Sequence, residues 1–189
     1  MASAGLVELG ERHVRLAVNV SVRNLQDPDF ARDTLDTLAL VNFAPHRLEL
    51  EITEQALLTD PDRSQATITA LRAAGVRITL DGFGTGYASY QTLRSLRVDR
   101  IKIDRDFVLR LLQDDQDQAV VRSIAYLAHE LGLEVVAEGV ESPETWDLLA
   151  DIGCDAAQGY GIAMPMGLPM LWTWMSRWRQ LNEAPIAKR

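Results

Sequence analysis

Six polar side chains each close a short apolar run in this sequence: Asn19, Glu51, Asp81, Lys102, Glu138 and Gln158. Their types suit one kind of chemistry. An amide and two carboxylates (Asn19, Glu51, Asp81) offer oxygen ligands, the preference of a hard divalent cation such as Mg²⁺ or Mn²⁺. No histidine belongs to the set, which argues against zinc. The Lys102 ammonium can neutralise developing charge or orient a nucleophile, and Glu138 can serve as general base or as ligand to a second ion. Asp81 also sits in the stretch ITLDGFGTGY, residues 78–87. There Gly82, Gly84 and Gly86 let a phosphate or a hydrated ion approach the main chain.

Taken singly, each of these residues also reads as a helix cap or a solvated loop residue. The repetition at every strand end is what points to a site. Other polar residues carry no such signal. Asp104 and Asp106 read as the start of a helix, where acids favour the dipole. His13, His46 and His129 show no ligand spacing.

The elements that must position the six residues follow from the hydrophobic pattern. Strands are expected at 15–20 (RLAVNV), 47–52 (RLELEI), 76–80, 100–103 (RIKI), 133–137 (LEVVA) and 155–158. Helical segments lie between them, at about 28–41, 60–74, 87–96, 107–131 as one stretch or two joined ones, and 142–152; a last one spans 165–181. Asp60 with Pro61, and Ser142 with Pro143, form starts; Gly75, Gly132 and Gly153 form stops. Strict alternation of this kind predicts an α/β fold of parallel strands joined by right-handed crossovers, with the strands apolar on both faces. An open doubly wound sheet would want G-x-G-x-x-G after its first strand, and NVSVRN stands there instead. A (β/α)₈ TIM-barrel-like fold is favoured, incomplete at about six of the usual eight units. In such a barrel the strand ends that carry the six residues converge on one face. In the final helix, Leu171, Trp174, Met175 and Trp178 fall at core-facing spacing, with Trp172 off that face.

Composition bounds the rest. The chain has 189 residues with 47% apolar and 24% charged content, enough for one sizeable core, so residues 1–189 read as a single domain. A formal charge of −8 argues against DNA or RNA polymers as partners, yet leaves room for a small phosphorylated ligand held through metal ions. The lone Cys154 fits a reducing compartment and a small core residue. No run reaches membrane-spanning length and the N-terminus lacks a signal-peptide pattern, so a cytoplasmic location without membrane insertion is expected.

Several motifs then coincide: NVS at 19–21, EITE at 51–54, DGFGTGY at 81–87, KIDRDF at 102–107, AEGVE at 137–141 and QGY at 158–160. In this combination, over about 15–169, the sequence resembles the EAL domain family of bacterial cyclic di-GMP phosphodiesterases. The resemblance implies a (β/α)₈-type barrel that hydrolyses cyclic di-GMP to linear pGpG with two Mg²⁺ or Mn²⁺ ions. It implies that Asn19, Glu51 and Asp81 match first-metal ligands, and that Lys102 and Glu138 position and deprotonate the water. It further implies that Glu54 braces the glycine loop and that Gln158 supports the site. Two departures set the expectation for activity. The glutamate of the E-A-L signature would lie about forty residues before Asn19, with two strands and a leading helix; its absence here matches the count of six. The family's loop begins with two aspartates, and Gly82 replaces the second. A partial, catalytically impaired EAL domain with weakened metal binding is expected. Its open barrel is expected to need a second copy or a partner domain, with an active phosphodiesterase or a scaffold as alternatives.

Overall fold

The computed structural model describes residues 14–84 and 98–182, with side chains as far as 178. The helix expected over 87–96, Gly86 before it, and His13 lie outside the described residues. Six strands, β1 (Leu16–Val20), β2 (Leu48–Thr53), β3 (Arg77–Phe83), β4 (Arg100–Ile103), β5 (Glu134–Glu138) and β6 (Ala156–Gln158), lie side by side in chain order. Every neighbouring pair is parallel. A doubly wound sheet reverses its strand order at a switch point; an order that never reverses belongs to the staves of a barrel. The sheet is a curled half-barrel.

The helices start where the sequence supplies an acceptor. Asp60 takes the amide of Arg63 at 3.1 Å and precedes α4 (Pro61–Ala73), with Pro61 in the first turn. Ser142 takes the amide of Thr145 at 3.2 Å and precedes α7 (Pro143–Ile152), which stops at the left-handed Gly153. Each such cap contributes about 1 kcal/mol. The stretch expected over 107–131 resolves into two helices, α5 (Arg105–Arg110) and α6 (Asp115–Glu130), with Asp104 and Asp114 as their caps. Two short helices were not expected: α1 (Val22–Leu25), capped by Ser21, and α3 (Glu54–Thr59), capped by Thr53. Helix α2 (Phe30–Leu40) follows α1, and α8 (Leu168–Asn182) ends the fold. No helix among the described residues is long and apolar enough to cross a membrane.

One expectation needs correction in part. Strands β2, β4 and β5 are buried on both faces, as expected, but only one of those faces is apolar. Leu48, Leu50, Ile52, Ile78, Leu80, Ile101, Ile103, Val135 and Ala137 belong to the hydrophobic core. The alternate residues Glu49, Glu51, Thr79, Arg100, Lys102, Glu134 and Glu138 share the other face, by the period of two along each strand. Curling turns that face inward, where charges persist only when paired. Arg100 forks onto Glu49, with Nη1 donating to Oε1 at 3.0 Å and Oε2 at 2.9 Å. It also pairs with Glu134, which takes a further 2.8 Å bond from Arg77. Thr79 donates to Glu49 at 2.6 Å. Burial pushes the Glu134 carboxyl up, but hydrogen bonds from Arg77 and Arg100 and their charges outweigh it and hold it at about 2.

A second correction concerns α8. Leu171, Trp174 and Met175 are only half-buried and Trp178 is exposed, so the stripe is not a core face. Trp178 instead stacks on Trp174 with centroids 5.1 Å apart and lines a cleft with Trp146 and Ile162. Trp172 is half-buried rather than exposed.

Candidate active site

Lys102 anchors the site. It sits on β4 with 3% of its surface exposed, among carboxylates from three other strands. Its Nζ lies 2.9 Å from Glu51 Oε2 on β2 and 3.7 Å from Asp81 Oδ1 on β3, and it is hydrogen-bonded to Glu138 Oε1 on β5. Burial alone would drive the ammonium to give up its proton, but hydrogen bonds to Glu138 and Glu51 outweigh it and raise its pKa above 10.5. The Glu138 carboxyl moves the other way from most paired acids. Burial raises it above 4.5; the Lys102 contact pulls it down, and Asp81 and Glu51 push it up again.

Three acids around one ammonium leave excess negative charge at this end of the half-barrel. One oxygen is held less closely than the rest: Asp81 Oδ1 is buried and accepts no hydrogen bond among the described residues, with the Lys102 ammonium 3.7 Å away. A buried anionic oxygen lacking a donor is costly, and a cation is the group that relieves it. Asn19, Glu51 and Asp81 are hard oxygen donors, so the residues present fit a divalent ion of the Mg²⁺ or Mn²⁺ kind. Among the described residues no three acidic, histidine or cysteine side chains are grouped so as to hold a metal ion, and the Lys102 ammonium is the cation among the carboxylates.

The two remaining strand-end residues flank this centre on the outermost strands. Asn19 on β1 is paired in register with Glu51, and Gln158 on β6 with Glu138; both are exposed. A trough of about 350 Å³ runs along the inner face past Glu51, Arg100, Lys102 and Gln158. Glu51, Asp81, Lys102 and Glu138 thus meet, while Asn19 and Gln158 stand beside them. Glu54 is buried as the first residue of α3; the loop residues past Gly84 that it was expected to brace lie outside the described residues. Gly82 has φ +70° and lies where the β3–β4 register shifts.

The loops behind Glu138 and Gln158 are held together by main-chain contact. Val140 N donates to Gln158 O at 3.0 Å and Gly161 N to Val140 O at 2.9 Å. A Cβ at Gly159 would lie 2.1 Å from Val140 O, so only glycine permits this approach.

Sequence reasoning passed over the charged layer beneath the site, Glu49, Arg77, Thr79, Arg100 and Glu134. The signal was available: Glu49 and Glu51, Arg100 and Lys102, and Glu134 and Glu138 are separated by even steps within their strands. His129, read as incidental, lies 2.9 Å from Asp155, which also accepts the Val135 amide at 2.7 Å. Cys154 is half-buried, and burial followed by the nearby Asp155 charge pushes its thiol up to about 11, as suits an inert core residue.

Comparison with known proteins gives one family. The EAL domain family matches residues 2–165 of this chain. Among curated relatives, the cyclic di-GMP phosphodiesterase PA2567 of Pseudomonas aeruginosa is 36% identical over 178 residues, covering 93% of this chain and 30% of its own length. Among solved structures, the EAL domain of Mycobacterium smegmatis DcpA superposes with a TM-score of 0.88 at 33% identity, covering 93% of this chain and 79% of that one. A manganese and cyclic di-GMP complex of Klebsiella pneumoniae BlrP1 superposes at 0.80 with 32% identity, covering 87% of this chain and 42% of that one. The chain spans between about a fifth and a third of the length of the curated relatives it matches.

Proposed function

The chain belongs to the EAL domain family, and from that premise we propose that its half-barrel is a cyclic di-GMP domain with a metal-dependent phosphodiester site of reduced turnover. One observation carries this reading: a buried ammonium ringed by Glu51, Asp81 and Glu138, with Asp81 Oδ1 accepting no hydrogen bond among the described residues. Asn19, Glu51 and Asp81 would hold one Mg²⁺ or Mn²⁺. When bound, such an ion supplies Lewis acidity and neutralises charge at the phosphodiester. Lys102 pairs with Glu51 and Glu138, holds both side chains in place, and orients the attacking water. Glu138, whose raised pKa brings it toward the working range of a general base, takes the proton of that water. Gln158 and Glu54 support the site from its flanks. Manganese and calcium complexes with cyclic di-GMP among the EAL neighbours support the choice of ligand and of ion.

Reduced turnover follows from Gly82. The family resemblance places a second aspartate there, and a hydrogen atom offers no oxygen to a second ion. Losing one well-placed electrostatic group costs on the order of 10²–10³ in rate. Calorimetric titration of the chain with cyclic di-GMP in Ca²⁺ should therefore show saturable binding. Turnover in Mn²⁺ should fall on the order of 10²–10³ below that of an EAL domain with both aspartates. Absence of binding in either ion would remove the reading. We place such a domain in the cytoplasm.

A second role, contact with another protein copy or domain, is favoured by the sheet edges. Among the described residues β1 and β6 each pair on one side only, and Val18 on β1 is 41% exposed. Beside β1 a largely apolar groove of about 520 Å³ reaches Phe30 and Leu38. Unpaired edges and bare apolar surface of this kind are normally covered. Sedimentation equilibrium should show self-association, and a strict monomer would count against it.

A further inference from the structure

Lys102 and Arg100 cross the inside of the half-barrel from one strand, β4, to the same two others. Lys102 reaches Glu51 on β2 and Glu138 on β5. One pleat below, Arg100 makes the same span, with Nη1 on both oxygens of Glu49 and Nε donating to Glu134 Oε2 at 3.1 Å. Glu49 precedes Glu51 on β2, and Glu134 precedes Glu138 on β5, each by an even step that keeps it on the inward face. The lower bridge is braced further: Thr79 donates to Glu49, which is 4% exposed, and Arg77 donates to Glu134. It also carries surplus positive charge, Arg15, Arg77 and Arg100 against Glu49 and Glu134, beneath the surplus negative charge around Lys102. β2 and β5 are not neighbours in the sheet. Backbone ladders hold each strand to the next, so the chord from β2 to β5 is held by the side chains that cross it.

We propose that Arg100 is a positioning residue for the phosphodiester reaction: by tying Glu49 to Glu134 it holds β5 at the distance from β2 that keeps Glu138 against Lys102. The inference rests on the metal-dependent reading above. Glu138 depends on the bridge more than Glu51 does. Among the described residues β2 lies between five-residue β1 and seven-residue β3, whereas β5 has the three-residue edge strand β6 on its far side. Slack at Arg100 therefore moves Glu138 before it moves the oxygen donors of β1 to β3. A guanidinium suits the task, because its rigid fork engages two carboxylates at once, whereas an ammonium is a point charge on a flexible stem. Misplacing a reacting group by about 1 Å can cost about 10²-fold in rate.

The test is single-turnover hydrolysis of cyclic di-GMP in Mn²⁺, with nucleotide affinity measured separately in Ca²⁺. Arg100→Lys keeps a cation beside Glu49 and Glu134 but cannot fork onto both. It should slow hydrolysis about 10–100-fold, while affinity in Ca²⁺ stays close to the parent's. Added to Glu138→Gln, the same substitution should cost no more than about twofold, because the group it positions is already gone. Glu49→Gln opens the bridge from the β2 side and should show the same pattern. In the metal-free chain it should also shift the ammonium resonance of Lys102, read with ¹⁵N-labelled lysine. Three results each overturn the proposal and leave the metal-dependent reading standing: Arg100→Lys and Glu49→Gln rates within about twofold of the parent, losses that multiply in full with that of Glu138→Gln, or a Lys102 resonance that Glu49→Gln leaves unmoved. A parent chain that releases no pGpG overturns both.

Discussion

Replacing Lys102 by methionine should destabilise the fold by about 3–5 kcal/mol at pH 7, the usual cost of stripping one partner from a buried ion pair. The side chain is 3% exposed and its volume is nearly kept, so packing loss is small and the charge left behind dominates. Glu51, Asp81 and Glu138 would then face one another with no cation between them. The pH dependence separates this cause from a packing defect. In the parent, Lys102 has a folded pKa above 10.5, so the stabilisation it gives is intact below that value and is lost only as pH rises through its raised folded pKa. Any trend between pH 5 and 8 therefore belongs to the carboxylates. Without the ammonium, Glu138 keeps the burial and the Asp81 and Glu51 charges that raise its pKa and loses the Lys102 contact that lowers it, so the folded variant binds a proton that its unfolded chain does not. Its stability then rises relative to the parent as pH falls. Urea denaturation at pH 7.5 and 5.5 should show the gap narrowing, and added Mn²⁺ should stabilise the variant more than the parent. An equal deficit at both pH values, untouched by Mn²⁺, would mean that the carboxylate cluster is not what Lys102 holds.

The second large effect is expected at Glu138. Glutamine keeps its shape and a hydrogen-bond acceptor for Lys102 while removing the basic oxygen. If Glu138 takes the proton of the attacking water, Glu138→Gln should slow single-turnover hydrolysis of cyclic di-GMP on the order of 10²–10⁴-fold. Nucleotide affinity in Ca²⁺ should stay within a few-fold of the parent. The sign of the pH profile follows from the raised pKa of the carboxyl. A base must be ionised to act, so the parent's rate should climb as pH rises through that raised value, and the variant should lose that limb. A variant rate that still climbs with the parent's profile would assign the proton to another group.

Much of this architecture was written in local chemistry. RIKI at 100–103 is bounded by charges and came out as the strand Arg100–Ile103, and Ser142, Pro143 and Gly153 bracket Pro143–Ile152 because a cap, a first-turn proline and a left-handed glycine each act within one turn. The meeting of Glu51, Asp81, Lys102 and Glu138 followed from strand ends of a barrel converging. What went unread was the charged layer that the curl turns inward. A strand such as LELEIT reads as apolar with interruptions, and only sheet curvature decides that Glu49 and Glu51 turn inward to arginine and lysine. The short helix Glu54–Thr59 was missed because one turn leaves no periodicity to detect. In α8 the apolar spacing was real, but amphipathic spacing names a face and not what covers it, and Trp178 remained exposed.

The order of the sheet has a temporal side. Among the described residues each later strand pairs with the one synthesised just before it, so each of these pairings spans a single connection. A nascent chain that has emerged through β4 already carries Lys102 with Glu51 and Asp81 on its neighbouring strands. Until β5 follows, the ammonium lacks Glu138, so the ribosome delivers that carboxylate last of the four.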